Sequence, residues 1–232
     1  MYLSPSPKLT DELDALLREK KIGVVAHFYM DPELQGVLSA CSWEHIGVSD
    51  SLLMAARGIE MVEAGCEHIV VLGVDFMSEN ARAMLDDAGH SKVPVYRVAE
   101  DPIGCSLAES AEAQAYGAYL AEAAKTPHAI HVVYINTSLV TKAKSHARVP
   151  TITCTSSNVV QTCLQAAAEI DDVEIFFGPD TYMGHNLVAL FEVMAKMSDD
   201  EVRAVHPKHT AASVAALLKL SRIPSSEPTR PY

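Results

Sequence analysis

Ile22-Gly23-Val24-Val25-Ala26-His27-Phe28-Tyr29 is an apolar run that breaks into polar residues, and Ala129-Ile130-His131-Val132-Val133-Tyr134-Ile135-Asn136 does the same later in the chain. The residues after each run also match. Ser51 and then Gly73-Val74-Asp75 come after the first, Ser156 and then Gly178-Pro179-Asp180 after the second, and Ser to Gly spans 22 positions in both. His27 and Tyr134 stand 107 positions apart. An internal repeat changes the whole architecture and has to be settled first. Two like units facing each other across a pseudo-symmetry axis would gather matching polar residues into one shared site.

Outward from the two runs, strand and helix signals alternate. Leu9, Leu13, Leu16 and Leu17 give an opening amphipathic helix. Strands are expected at 22–28, 68–72, 93–98, 129–135, 151–154 and 173–177. Asp31-Pro32 is an N-cap with proline at the first helical position, and Ser49-Asp50-Ser51 caps the next helix. Ser78 is expected to cap a helix to Gly89, Cys105–Lys125 to form one long helix, and Asn186–Met197 and Thr210–Leu218 two more. The pattern predicts an α/β fold of two repeated three-layer αβα units with parallel sheets. The first unit is expected over 1–126, the second, incomplete, over 127–218, and a disordered tail over 219–232, where Pro224, Pro228 and Pro231 interrupt the alternation.

The 232 residues carry a formal net charge of -12, which argues against nucleic acid and against an anionic membrane as partner. No apolar run is long enough to cross a bilayer. Five scattered cysteines without CxxC spacing suit a reducing compartment. Met1–Lys8 is too short for a signal or transit peptide.

In parallel sheets, ligands collect beyond the carboxyl ends of the strands. His27, Tyr29, Tyr134 and Asn136 fall there, and Tyr29, two positions after His27, is expected on the same side of an extended strand. Ser51, Cys105 and Ser156 each stand at an expected helix start, where free N–H groups and the dipole favour anions and thiolates. Plain N-capping is the other reading of the serines, and a buried structural thiol the other reading of Cys105. Cys41, Cys66, Cys154 and Cys163 read as buried small residues, and His206-Pro207-Lys208-His209 as a surface turn. No Walker A, GxGxxG, HExxH or GxSxG pattern occurs.

Taken in order, Ala26-His27-Phe28-Tyr29, Ser49-Asp50-Ser51-Leu52, Gly73-Val74-Asp75-Phe76-Met77-Ser78-Glu79, Gly104-Cys105-Ser106-Leu107-Ala108, Tyr134-Ile135-Asn136-Thr137, Cys154-Thr155-Ser156-Ser157-Asn158 and Gly178-Pro179-Asp180 resemble the quinolinate synthase family. The resemblance implies three similar α/β units around a [4Fe–4S] cluster held by one cysteine from each. It implies condensation of iminoaspartate with dihydroxyacetone phosphate to quinolinate, in NAD biosynthesis. Carried over by motif, Cys105 would ligate the cluster, and His27, Ser51, Tyr134, Ile135, Asn136 and Ser156 would bind substrate, Ile135 through its backbone. Tyr29 and His27 would move protons. The family also implies a plastid location if the chain comes from a plant or alga, and a cytoplasmic one otherwise.

One departure stands against this. No cysteine follows Cys163, so two of the three cluster ligands have no counterpart, and Lys219–Tyr232 does not resemble what the family has there. The resemblance therefore implies a chain truncated after the second unit, with impaired activity and a face open to self-association where a third unit would pack. The competing reading is a non-catalytic anion-binding or interaction fragment that has lost the cluster chemistry. A thiol-dependent redox protein using Cys105 is a weaker third, with no resolving cysteine nearby.

Overall fold

The computed structural model describes residues 5–221 and residue 223. Packing divides the chain into two compact units, with the break between Cys105 and Ser106.

The first unit runs α1 (Pro7–Glu19), β1 (Ile22–His27), α2 (Pro32–Ala40), β2 (Ile46–Ser49), α3 (Ser51–Glu63), β3 (His68–Leu72), α4 (Asp75–Asp87) and β4 (Val95–Arg97). All four strands are parallel, in the order β2-β1-β3-β4. Alternation along β1 sorts the two faces. Val24 and Ala26 pack with Leu17 of α1 and Leu38 of α2, whereas Gly23 lies against Ile69 and against Met61 of α3. A Cβ at Gly23 would stand 2.8 Å from Ile69 Cδ1 and 2.9 Å from Met61 Sδ, so both side chains would have to shift to admit one. Helices thus cover both faces of the sheet, giving the expected three layers.

The second unit runs α5 (Ser106–Glu112), α6 (Gln114–Ala123), β5 (Ala129–Tyr134), α7 (Leu139–His146), β6 (Thr151–Cys154), α8 (Val159–Glu169), β7 (Glu174–Gly178), α9 (Thr181–Met194), α10 (Asp199–Val205) and α11 (Ala211–Leu220). Its strands are parallel in the order β6-β5-β7. That repeats β2-β1-β3: the first strand is central, the second on one side, the third on the other. Val132, Ile175 and Phe177 form one core with α8, α9 and α11, and Ala129 and Phe176 another with Ala123 of α6.

In the first unit β3 has β4 beyond it, whereas β7 is an edge among the described residues. Its outward polar groups are met by side chains: the Ile175 N–H donates to Ser221 Oγ at 3.4 Å, and the Tyr119 hydroxyl to the Phe177 carbonyl at 3.1 Å.

Several boundaries differ from expectation. The helix expected over Cys105–Lys125 is two helices, broken where Ala113 turns extended (ψ 151°), and α6 packs on the second sheet through Tyr116 and Tyr119. The division at 126 follows the sequence repeat; the break at Cys105 follows packing. Ser78 does not cap α4 but sits one turn inside it, its hydroxyl donating to the Asp75 carbonyl. Lys219 and Leu220 finish α11, and Ile223 is 6% exposed within the second core, so order extends past residue 218. The rest of the expected tail lies outside the described residues.

Candidate functional site

His27 closes β1 with 8% of its surface exposed. The backbone N–H of Tyr29 donates to its Nδ1 at 3.2 Å. Nδ1 must then be bare in the neutral ring, which leaves the proton on Nε2 as the outward donor. Burial depresses the His27 pKa and the Asp50 carboxylate partly restores it, so the imidazole is neutral at pH 7.

Tyr29 reaches His27 by a different route from the one expected. β1 ends at His27, and Tyr29 lies in the following turn, 80% exposed, with its ring centroid 4.9 Å from that of His27. The turn, not period-two alternation, brings the two rings together.

Ser51 is the first residue of α3 and 3% exposed. Asp50 is the cap, its carboxylate accepting from the Leu52 and Leu53 N–H groups at 2.9 Å each. The amides expected to attract an anion are therefore committed to Asp50, and Ser51 contributes its hydroxyl. The Phe28 N–H donates to the Ser49 carbonyl at 3.1 Å, joining the His27 turn to the start of α3.

Cys105 directly precedes α5 and is partly exposed. The loop leading to it is tied back to α4, with the Asp75 N–H donating to the Ile103 carbonyl at 3.0 Å. Arg97 forms an ion pair with Asp75 at 2.6 Å and also donates to the Glu100 carbonyl. Asp75 of the repeated Gly-x-Asp motif thus anchors the thiol-bearing loop, a role its place in the sequence does not reveal.

In the second unit Tyr134 ends β5, and Ile135, Asn136 and Thr137 form the bend before α7. Ile135 is buried and its backbone is engaged: its N–H donates to the Cys154 carbonyl at 2.8 Å and its carbonyl accepts from Lys142 Nζ at 3.0 Å. The Thr137 N–H takes the other lone pair of that carbonyl at 2.7 Å, so the Ile135 backbone is fully engaged within the chain. Ser156 is exposed in the turn before α8, which begins at Val159, so it is not itself at the helix start. The Asn158 side chain folds back to accept from the Thr155 N–H at 2.8 Å, shaping that turn.

The structure thus places His27, Tyr29, Ser51 and Cys105 at the carboxyl edge of the first sheet, and Tyr134, Ile135, Asn136 and Ser156 at that of the second. A groove of about 430 Å³ in the second unit lies elsewhere, lined by Ala113, Gln114 and Gly117 and by Lys144 and Arg148.

Cys154 and Cys163 are buried in the second core, and burial pushes the Cys163 thiol up to about 12; Cys66 is buried too, but Cys41 is only half-buried. Among the described residues, no three His, Cys, Asp or Glu side chains group as metal ligands. Cys154 also closes a strand, β6, but is fully buried, which leaves Cys105 as the accessible thiol at the strand ends, so the chain by itself does not fit a three-thiolate cluster. His206-Pro207-Lys208-His209 is a turn with Pro207 and Lys208 exposed, as expected, but its two histidines are buried. They are 5% and 3% exposed, with rings 4.8 Å apart, held by Gln165 Oε1 and the Leu164 carbonyl.

The family model described as Quinolinate synthetase A protein matches residues 11–222. The chain is 60% identical over 220 residues to the chloroplastic quinolinate synthase of Oryza sativa subsp. japonica, covering 94% of this chain and 31% of the relative. It is 58% identical over 219 residues to that of Arabidopsis thaliana, covering 94% and 30%. A quinolinate synthase of Mycobacterium sp. (strain KMS) is 31% identical over 182 residues, covering 78% and 46%. The chain therefore spans about a third of the length of its plant relatives.

Proposed function

The chain belongs to the quinolinate synthetase A family, and we propose that it carries two of the substrate-handling units of a quinolinate synthase, the enzyme that condenses iminoaspartate with dihydroxyacetone phosphate. The observation that carries this reading is the shared strand order of the two units, with the candidate residues at the carboxyl end of each central strand. On this reading the Nε2–H of His27 donates to a substrate oxygen, and the exposed hydroxyl of Tyr29 beside it relays a proton. Ser51, Tyr134, Asn136 and Ser156 supply hydrogen bonds, while Ile135, its backbone engaged within the bend, holds Tyr134 and Asn136 in place. The substrates are small anions. The plant relatives are named chloroplastic, so we assign the chain to the plastid. No helix among the described residues is long and apolar enough to cross a membrane.

In the family, a [4Fe–4S] cluster supplies Lewis-acid chemistry through an open iron. Cys105 is the residue that would reach it, but one thiolate does not hold such a cluster. The chain alone is proposed to bind substrate without turning it over. Anaerobic reconstitution followed by iron analysis and a quinolinate assay tests this. Background iron with measurable dihydroxyacetone phosphate binding is the expected result; about four irons per chain with steady turnover would overturn it.

A further inference from the structure

One loop-holding device occurs in both units, at matching positions. In the first, Gln35 Nε2 donates to the carbonyls of Phe28 and Met30, at 2.9 and 2.8 Å. In the second, Lys142 Nζ donates to the carbonyls of Ile135, at 3.0 Å, and Thr137. The offset of 107 positions separating His27 from Tyr134 also separates Phe28 from Ile135, Met30 from Thr137 and Gln35 from Lys142.

The surroundings match as well. Gln35 and Lys142 are each the fourth residue of the helix after the central strand, so each reaches back over its own helix start. The caps are Asp31 and Ser138, whose side chains accept from Glu33 N–H and Thr141 N–H. Each carbonyl pair flanks one candidate residue: Tyr29 lies between Phe28 and Met30, and Asn136 between Ile135 and Thr137.

Lys142 breaks a local rule to do this. A cation near a helix N-terminus opposes the macrodipole, whereas Lys144 and His146 sit at the favourable end of the same helix. A local rule broken inside an otherwise consistent element points to function. The carbonyls of Ile135 and Thr137 recover part of that cost by solvating the ammonium. The Ile135 carbonyl also takes the Thr137 N–H at 2.7 Å, which closes the bend tightly.

We propose that Gln35 and Lys142 are paired positioning residues: each locks the strand-end turn of its unit and so presents Tyr29 or Asn136 to the substrate. This rests on the substrate reading above, but the clamp can be tested separately. Neither side chain needs to touch the ligand. Two donors aimed at two carbonyls are what the task requires, so a glutamine should replace Lys142 and a methionine should not.

The experiment compares Gln35→Leu, Lys142→Met and Lys142→Gln with the unaltered chain. Hydrogen exchange is read at the Met30 and Thr137 amides, melting temperature alongside, and dihydroxyacetone phosphate binding by calorimetry. Expected are roughly tenfold faster exchange at Met30 in Gln35→Leu and at Thr137 in Lys142→Met, with a similar loss of affinity and a melting temperature close to the parent. Lys142→Gln should keep parental exchange and affinity, a rescue that also guards against a methionine variant that folds poorly. Unchanged exchange in both apolar variants, or Lys142→Gln behaving like Lys142→Met, would overturn the clamp. Faster exchange in a chain whose parent binds no dihydroxyacetone phosphate would support the clamp and overturn the substrate reading.

Discussion

The Tyr116 hydroxyl lies 2.8 Å from Nε2 of His131, a fully buried histidine on the central strand of the second sheet. Nδ1 of the same ring is 2.6 Å from Ser145 Oγ, which is 2.8 Å from Thr151 Oγ1. Thr151 donates to the Val149 carbonyl, and that last bond orders every proton before it. Ser145 must donate to Thr151, Nδ1–H to Ser145, and Tyr116 to a bare Nε2. The chain of bonds satisfies a histidine at the position where the first unit has Val24.

Stability should fall with acid because of this ring. Burial lowers the His131 pKa to about 4 from an unfolded 6.5. Between those values the unfolded chain binds the extra proton, so folding weakens as pH drops from about 6.5 to 4, by on the order of 3 kcal/mol. Urea midpoints across that range measure it. A His131→Gln variant should show a flatter profile, and an equally steep one would assign the acid sensitivity elsewhere.

Gly178→Ala should destabilise the second unit by about 1–3 kcal/mol. A Cβ there would stand 2.9 Å from both Cε2 and Oη of Tyr116, whose hydroxyl is held by His131 and cannot swing aside freely. Thermal melting of the variant is the check, with a parental melting temperature the result that fails it.

Under native conditions Cys105 should react with iodoacetamide well before Cys154 and Cys163. It is partly exposed, while burial raises the pKa of both core thiols and removes the thiolate. Peptide mass spectrometry over time gives the order. Cutting the Asp75–Arg97 tie with Arg97→Met should quicken Cys105 labelling severalfold yet cost under about 1 kcal/mol, since the pair is partly solvated.

Asp50→Asn should lower the His27 pKa further. The carboxylate is what lifts it against burial, and asparagine still offers an oxygen to the Leu52 and Leu53 amides. Titration of the ring by NMR reads the shift directly; a pKa that stays put would remove Asp50 from the site's electrostatics.

The apolar run of β3 and the β-branched Thr-Ile-Thr of β6 were enough, since both strands begin and end where expected, and Asp31-Pro32 starts α2. β2 went unread because Ile46–Ser49 is four residues with a glycine inside, too short for any period to show. α10 is short too, at seven residues, and the His-Pro-Lys-His turn after it hid a buried histidine pair. The break at Ala113 has neither proline nor glycine behind it; the packing of Tyr116 and Tyr119 against the second sheet accompanies it. The strand-end residues were legible because the repeat marked them twice. The same 107-residue offset separates Gln35 from Lys142, but a glutamine and a lysine share no type, and only their carbonyl partners reveal the likeness.

Among the described residues no further strand pairs with β7, and that bears on how this molecule behaves at high concentration. A bare strand margin can seed cross-β growth, because another peptide finds an open row of main-chain groups to copy. Here the hydroxyls of Tyr119 and Ser221 stopper that row at Phe177 and Ile175. Fibril nucleation along this margin would first have to dislodge an aromatic side chain that is itself wedged against Phe176.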